Sequence, residues 1–205
     1  ALCDLMDEFV MEFPGAATPE FCEMMIEKYE ADNRKKAAQI GPEGATDTTV
    51  RSSVNLEMNC LSDWRTVVDD IRAMIYTRQP KYLDDIHTDI SKSLFQGGYD
   101  SSYSLLKYLP NTVGYTWHND FMWDDFSPRN GVRTVTWLFY LNECDGGETE
   151  FIWGKKIKPE VGKLVLFPSC WTFVHRGLPI NSGEKYLAVG WLYSTWNQGL
   201  GKNAK

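Results

Sequence analysis

A histidine and an aspartate two residues apart, His118 and Asp120, stand in the stretch Gly114-Tyr115-Thr116-Trp117-His118-Asn119-Asp120. On a strand, that spacing puts both side chains on one face. The chain has only three histidines, and the last, His175, follows Asp120 by 55 residues at the end of a strand-like segment starting at Trp171. Two imidazoles and one carboxylate are the protein half of an Fe(II) site that keeps positions open for other ligands. A His-x-Asp pair alone is more often an ordinary surface or core histidine, so the residues around it must decide.

Ten residues after His175 comes Lys185, in the apolar run Gly183-Glu184-Lys185-Tyr186-Leu187-Ala188-Val189-Gly190-Trp191. A cation there needs an anionic partner, or else it snorkels to the surface from a sheet edge. Upstream, Arg133 to Asn142 forms another strand pattern, and Asp145-Gly146-Gly147-Glu148-Thr149-Glu150-Phe151 reads as a turn feeding a short strand.

The elements that must hold these residues divide the chain in two. Thr18-Pro19-Glu20 supplies a capping hydroxyl, a proline at the first helical position and a carboxylate facing the helix dipole. Phe21, Cys22, Met25, Ile26 and Tyr29 give that helix an apolar stripe, read as core packing. Residues 33–49 are loop by composition. A second helix is expected to be capped by Ser62, with Trp64, Val67, Val68, Ile71, Met74 and Ile75 at helical spacing. Pro80 is expected to separate it from a third helix running from Tyr82 to about Leu94. That stretch carries His87 among Asp84, Asp85 and Asp89, which reads as a solvated histidine and not as a metal ligand.

From Tyr99 onward the pattern becomes short β-branched and aromatic runs broken by Gly, Pro, Asn and Asp. Strands are expected at 103–109, 113–118, 133–142, 148–152, 155–158, 163–167, 171–175 and 185–194. Strands following helices predict an α+β, mainly β, fold: a two-sheet jelly roll braced by N-terminal helices on one outer face. Between Asp120 and Arg133 lies an irregular aromatic stretch containing Phe121, Trp123 and Phe126, suited either to a lid or to simple packing on the barrel. The basic run Lys155 to Lys158 reads as a solvated hairpin.

A length of 205 residues predicts one domain over 1–205. No run approaches the roughly 18 apolar residues of a membrane span, so no membrane partner is expected. The five cysteines are scattered without a Cys-x-x-Cys pair, and the acidic start lacks a leader pattern, which together suit free thiols in the cytoplasm. The formal net charge of −7 argues against a nonspecific nucleic-acid binder. Nothing in the sequence sets the oligomeric state.

The joint pattern of His-x-Asp, a distal histidine, a basic residue ten beyond it and an intervening Gly-Gly-Glu-Thr resembles the iron- and 2-oxoglutarate-dependent dioxygenases, and within them the prolyl 4-hydroxylases. The resemblance runs from about Leu105 to Tyr193 and is faint before it. It implies a double-stranded β-helix core. His118, Asp120 and His175 are implied as the catalytic iron ligands, with 2-oxoglutarate and dioxygen as cosubstrates and ascorbate as reductant. Lys185 stands where the family has the basic residue that meets the distal carboxylate of 2-oxoglutarate. Tyr140 is similar to the tyrosine beside that carboxylate in hypoxia-sensing prolyl hydroxylases, whose Arg-x-x-Thr and Tyr-Leu-Asn pattern matches Arg133, Thr136 and Tyr140-Leu141-Asn142. Tyr108 and Thr136 join the implied cosubstrate pocket. Arg51, Arg133 and Trp191 match residues of the peptide groove, so that an extended chain is expected over the face framed by Arg51, residues 121–132 and Arg133. A lysine at 185 favours the plant, algal and microbial branch, and Arg176 directly after His175 is common in microbial and viral members.

The implied activity is hydroxylation of a prolyl residue in a peptide or protein, with release of succinate and carbon dioxide. Two rivals are a hydroxylase of free proline or another small molecule, needing a closed pocket with a carboxylate clamp, and a non-catalytic metal-binding jelly roll. Asp120 disfavours halogenation, which needs that ligand position vacant.

Overall fold

A computed structural model describes residues 2–40, 44–94, 98–123 and 131–195. Its elements are α1 (Leu2–Asp7), β1 (Met11–Phe13), α2 (Pro19–Ala31), β2 (Lys36–Ala37), β3 (Val54–Glu57), α3 (Arg65–Leu94), β4 (Tyr99–Tyr108), β5 (Tyr115–His118), β6 (Gly131–Tyr140), β7 (Asp145–Gly146), β8 (Thr149–Phe151), β9 (Lys156–Ile157), β10 (Lys163–Pro168), β11 (His175–Gly177), β12 (Ile180–Ser182) and β13 (Lys185–Thr195). Two 3-10 turns, Met58–Cys60 and Ser62–Trp64, precede α3.

The strands form a seven-stranded sheet in the order β1-β10-β6-β13-β4-β3-β2, a four-stranded sheet β5-β11-β8-β9 and the pair β12-β7, all antiparallel. The large sheet is buried on both faces, because the alternation of side chains along its strands serves two cores. Tyr103, Leu105, Val135, Trp137, Phe139, Leu164, Leu166 and Ala188 point outward and pack with Cys22, Met25 and Tyr29 of α2 and Trp64, Val67, Val68, Ile71 and Ile75 of the α3 region. Leu106, Tyr108, Leu138, Tyr140, Val165, Phe167, Leu187 and Val189 point inward and meet Phe151, Ile157 and Phe173 from the small-sheet side. This is the expected jelly roll with helices on one outer face.

Helix α2 begins as its sequence dictates, with the Phe21 N–H donating to Thr18 Oγ1 at 3.3 Å and Pro19 in the first turn. Three local expectations are corrected. Ser62 does not cap α3 through its side chain; it opens a 3-10 turn in which the Arg65 N–H donates to the Ser62 carbonyl. Pro80 does not divide two helices, because α3 continues through it to Leu94. The turn before Pro80 is held from outside, with Arg78 donating to Ala16 O at 3.2 Å and Tyr76 donating to Asp100 at 2.9 Å, so tertiary anchors oppose the proline's local cost. Finally, residues 171–174 are not strand: Trp171 is 71% exposed on a turn closed by Phe173 N–H to Cys170 O, and the strand starts only at His175. The expectation for His87 lies outside the described side chains, as do residues 124–130 of the aromatic stretch.

Among the described residues, no helix is long and apolar enough to cross a membrane.

Candidate active site

Strands β5 and β11 are neighbours in the small sheet, and their register sets His118 directly across from His175. Asp120 follows two residues after the end of β5. The ligand atoms of His118, Asp120 and His175 lie within 4.8 Å of one another. His118 Nε2 is 3.9 Å from Asp120 Oδ1, and His175 Nε2 is 3.6 Å from Asp120 Oδ2.

Both imidazoles are oriented by the same device. His118 Nδ1 lies 2.7 Å from the Thr116 carbonyl and His175 Nδ1 lies 2.9 Å from the Phe173 carbonyl, each two residues earlier in the chain. A carbonyl only accepts, so each Nδ1 carries the proton and donates, leaving the Nε2 lone pair free toward the carboxylate. The Tyr115 ring stacks on His118 at 3.6 Å, while Phe151 and Phe167 hold His175 at centroid distances of 5.7 and 5.0 Å. Burial, reinforced by His175, pushes the His118 pKa down to about 3, so this imidazole is neutral at physiological pH. Burial would raise the Asp120 carboxyl, but the neighbouring His175 and His118 and a hydrogen bond from Thr136 outweigh it and hold the group below its ordinary value. Two Nε2 lone pairs and an ionised carboxylate facing a common point are a donor set that fits a divalent first-row metal.

Thr136, expected in the cosubstrate pocket, makes its contacts with a metal-ligand candidate. Its hydroxyl donates to Asp120 Oδ2 at 2.8 Å and lies 2.9 Å from Ser169 Oγ, so it links the carboxylate to the large sheet.

Lys185 opens β13 and is 3% exposed, which excludes the surface alternative. It pairs with Tyr108 across β4, and its Nζ lies 5.6 and 5.4 Å from the ring centres of Tyr108 and Tyr140. Nζ donates to the Gly147 carbonyl at 2.6 Å. Burial lowers its pKa to about 8, against the smaller opposing pull of Cys144 and Glu148. The Tyr140 hydroxyl lies 2.7 Å from Thr149 Oγ1, and burial raises its pKa so that it stays protonated. Gly147 sits at φ +71°, and a Cβ there would crowd Cys144 Sγ, Ile180 and the Lys185 stem, so the turn around the ammonium requires glycine.

Arg51 and Arg133 flank the triad. Arg51 bridges to Tyr115 through the backbone and lies 4.8 Å over its ring. Arg133 lies 3.4 Å over the Trp191 ring and donates to the Tyr193 hydroxyl at 3.1 Å. Tyr115, Thr149, Ser169 and the two orienting carbonyls were not singled out by sequence reasoning. Tyr115 and Thr149 lie inside the motifs that drew notice, but their roles depend on contacts between strands that spacing alone does not reveal.

The family model of the 2OG-Fe(II) oxygenase superfamily matches residues 85–193. A protein of Acanthamoeba polyphaga mimivirus named for prolyl 4-hydroxylation is 37% identical over 103 residues, 42% of each chain, so the match spans about two fifths of that relative's length. Among solved structures, the viral collagen prolyl hydroxylase of Paramecium Bursaria Chlorella virus-1 in its 2OG complex superimposes with a TM-score of 0.66 at 22% identity, covering 95% of this chain and 100% of that one. A Trichoplax adhaerens prolyl hydroxylase, solved with a hypoxia inducible factor peptide fragment, gives 0.69 at 15% identity over 94% of this chain and 87% of that one. These two share the fold. The family model covers more than half of the sequence and encloses both ligand-bearing strands and Lys185, so the chain belongs to the 2OG-Fe(II) oxygenase superfamily.

Proposed function

We propose that this chain forms one catalytic domain that hydroxylates a prolyl residue in a peptide or protein, consuming 2-oxoglutarate and dioxygen and releasing succinate and carbon dioxide. The observation that carries the reading is the convergence of His118, Asp120 and His175, with both Nε2 atoms turned toward the carboxylate. Iron, when bound there with 2-oxoglutarate and dioxygen, supplies the oxidation of a substrate C–H bond.

The chain's own residues orient and exclude. His118, Asp120 and His175 would hold the metal, supplying two imidazole nitrogens and one carboxylate. Lys185 meets the distal carboxylate of 2-oxoglutarate at the closed end of the barrel, between the rings of Tyr108 and Tyr140, with the Tyr140 and Thr149 hydroxyls beside it. Leu187 and Ile180, buried between the sheets, keep water from that end. Tyr115, Arg133 and Trp191 line the opposite, substrate side, with Arg51. The names of the mimivirus and chlorella virus proteins support a prolyl substrate. The free thiols of Cys22, Cys60, Cys144 and Cys170 favour the cytoplasm.

The test is turnover of a proline-rich peptide with Fe(II) and 2-oxoglutarate, following succinate and oxygen uptake together with hydroxyproline by mass spectrometry. Asp120→Ala is expected to abolish all three. Full succinate release by that variant would remove the assignment of the centre. Succinate without hydroxyproline would leave an oxygenase acting on another substrate.

A further inference from the structure

The inference rests on the proposed hydroxylation and concerns what the substrate carries beside the reacting ring. Arg51 and Arg133 are both partly buried. Their charges both act on the Tyr115 phenol, whose ring stacks on His118, and the charge of each is also felt at Asp120. Two guanidiniums, one from the segment before β3 and one from β6, therefore converge on one side of the triad.

Their partners are neutral. Arg51 donates its Nε to Ser53 Oγ at 3.1 Å and sits by the Tyr108 hydroxyl and the Tyr115 ring. Arg133 donates its Nε to the Tyr193 hydroxyl and stacks on Trp191. Among the described residues neither guanidinium has a carboxylate within 4.0 Å; the Tyr108 hydroxyl stands beside Arg51 and the Trp191 ring beside Arg133. Arg34, Arg72 and Arg176, whose side chains are 43%, 39% and 38% exposed, each hold a carboxylate at 2.9 Å or less. Arg78, the other partly buried arginine without a carboxylate, gives its terminal nitrogens to the Met74 and Ala16 carbonyls, whereas Arg51 and Arg133 have hydroxyls and aromatic rings beside them. The Trp191 indole N–H, shielded from solvent and without an acceptor, is a further unsatisfied donor in the same cluster.

Charge balance identifies the missing partner. A metal dication, the Asp120 carboxylate, the 2-oxoglutarate dianion and the Lys185 ammonium cancel in formal charge. Arg51 and Arg133 remain, in a protein of net charge −7. Guanidiniums withdrawn from water favour an anion over a neutral amide oxygen, and a planar fork without an anionic partner matches a carboxylate. We propose that Arg51 and Arg133 form an anion-reading pair that selects substrates whose reacting residue lies next to a carboxylate. That group is either an acidic side chain adjoining the proline or the substrate's own terminal carboxylate.

Binding distinguishes these without turnover. Fluorescein-labelled peptides of one length with Pro-Glu, Pro-Gln or Ala-Glu at the centre, and a peptide ending in proline as free acid or as amide, are titrated by anisotropy under anaerobic conditions against protein loaded with Fe(II) and 2-oxoglutarate. At low salt, at least one acid member is expected to bind about tenfold or more tightly than its amide counterpart, as a charge-assisted contact implies. The difference shrinks with added salt. It closes in Arg133→Gln and in Arg51→Gln and persists in Arg133→Lys, with melting curves checking that each variant folds. Preference in the central pair assigns the carboxylate to a side chain, and preference in the terminal pair assigns it to the chain end. Equal affinity of acid and amide in both pairs, or a preference that survives both glutamine variants, overturns the proposal. Ala-Glu binding as tightly as Pro-Glu, with no hydroxyproline formed on readmitting oxygen, would tell against the prolyl reading and leave the anion pair standing.

Discussion

Lys185 is the side chain on which the proposed cosubstrate pocket depends most. Burial lowers its pKa from the ordinary 10.5 to about 8, so the ammonium that a carboxylate needs is lost as pH rises through that value. The 2-oxoglutarate requirement is therefore expected to climb above about pH 8. Calorimetry near pH 8 in two buffers of different ionisation enthalpy should show proton uptake on binding, because the dianion restores the charged form. Binding without proton uptake would mean that Lys185 is not the partner. Lys185→Ala should raise the Kd for 2-oxoglutarate by about ten- to a hundredfold, the range of a lost charge-assisted hydrogen bond, and leave metal affinity nearly unchanged. Thr136 makes the opposite prediction. Because its hydroxyl meets Asp120, Thr136→Val should weaken metal binding by about ten- to a hundredfold, as loss of a ligand-orienting partner does, with a smaller effect on 2-oxoglutarate once metal saturates. A 2-oxoglutarate defect alone would return Thr136 to the cosubstrate pocket. The residues legible in the sequence were those with distinctive chemistry at fixed spacing, such as His118, Asp120 and Lys185. Thr136 and Thr149 were harder, because a threonine's partner is set by which sheet faces it.

At the scale of elements, the long apolar strands were legible because burial on both faces demands continuous apolar runs. The expected 133–142 and 185–194 differ from β6 and β13 by at most two residues at either end. Short edge pieces such as β1, β2, β7 and β12 were not, since two or three residues carry no periodicity. Pro80 shows a local rule losing to tertiary contacts. Restoring its missing N–H with Pro80→Ala should raise stability by about 1–3 kcal/mol, the usual cost of an interior helix proline, seen as a higher Tm with turnover unchanged. A lower Tm would show that the proline shapes α3 to fit the large sheet. The turn at Gly147 is set by sterics: at φ +71°, beside Cys144, Ile180 and Lys185, Gly147→Ala should lower Tm and weaken 2-oxoglutarate binding together, because the Gly147 carbonyl holds the ammonium.

Seen whole, the described residues build two cores on opposite faces of one sheet, with the helices covering one core and the small sheet closing the other. The helix-facing core was largely legible from the stripes of α2 and α3, whereas which strands would form the small sheet was not, because pairing partners are a property of topology and not of any one segment. The origin of the three metal donors has a further consequence. His118 and His175 stand on adjacent strands of the small sheet, while Asp120 is tethered through Thr136 to β6 of the large one. An ion held by all three is a rivet through both layers of the sandwich, present in the folded protein and lost when the layers part. Metal at about a hundred times its Kd should contribute about 2.7 kcal/mol, or roughly 5–10 °C in Tm for a chain of this size. EDTA should remove that increment from the wild type and change nothing in Asp120→Ala. A melting curve would then gauge how full the centre is in a preparation that has never met its substrate.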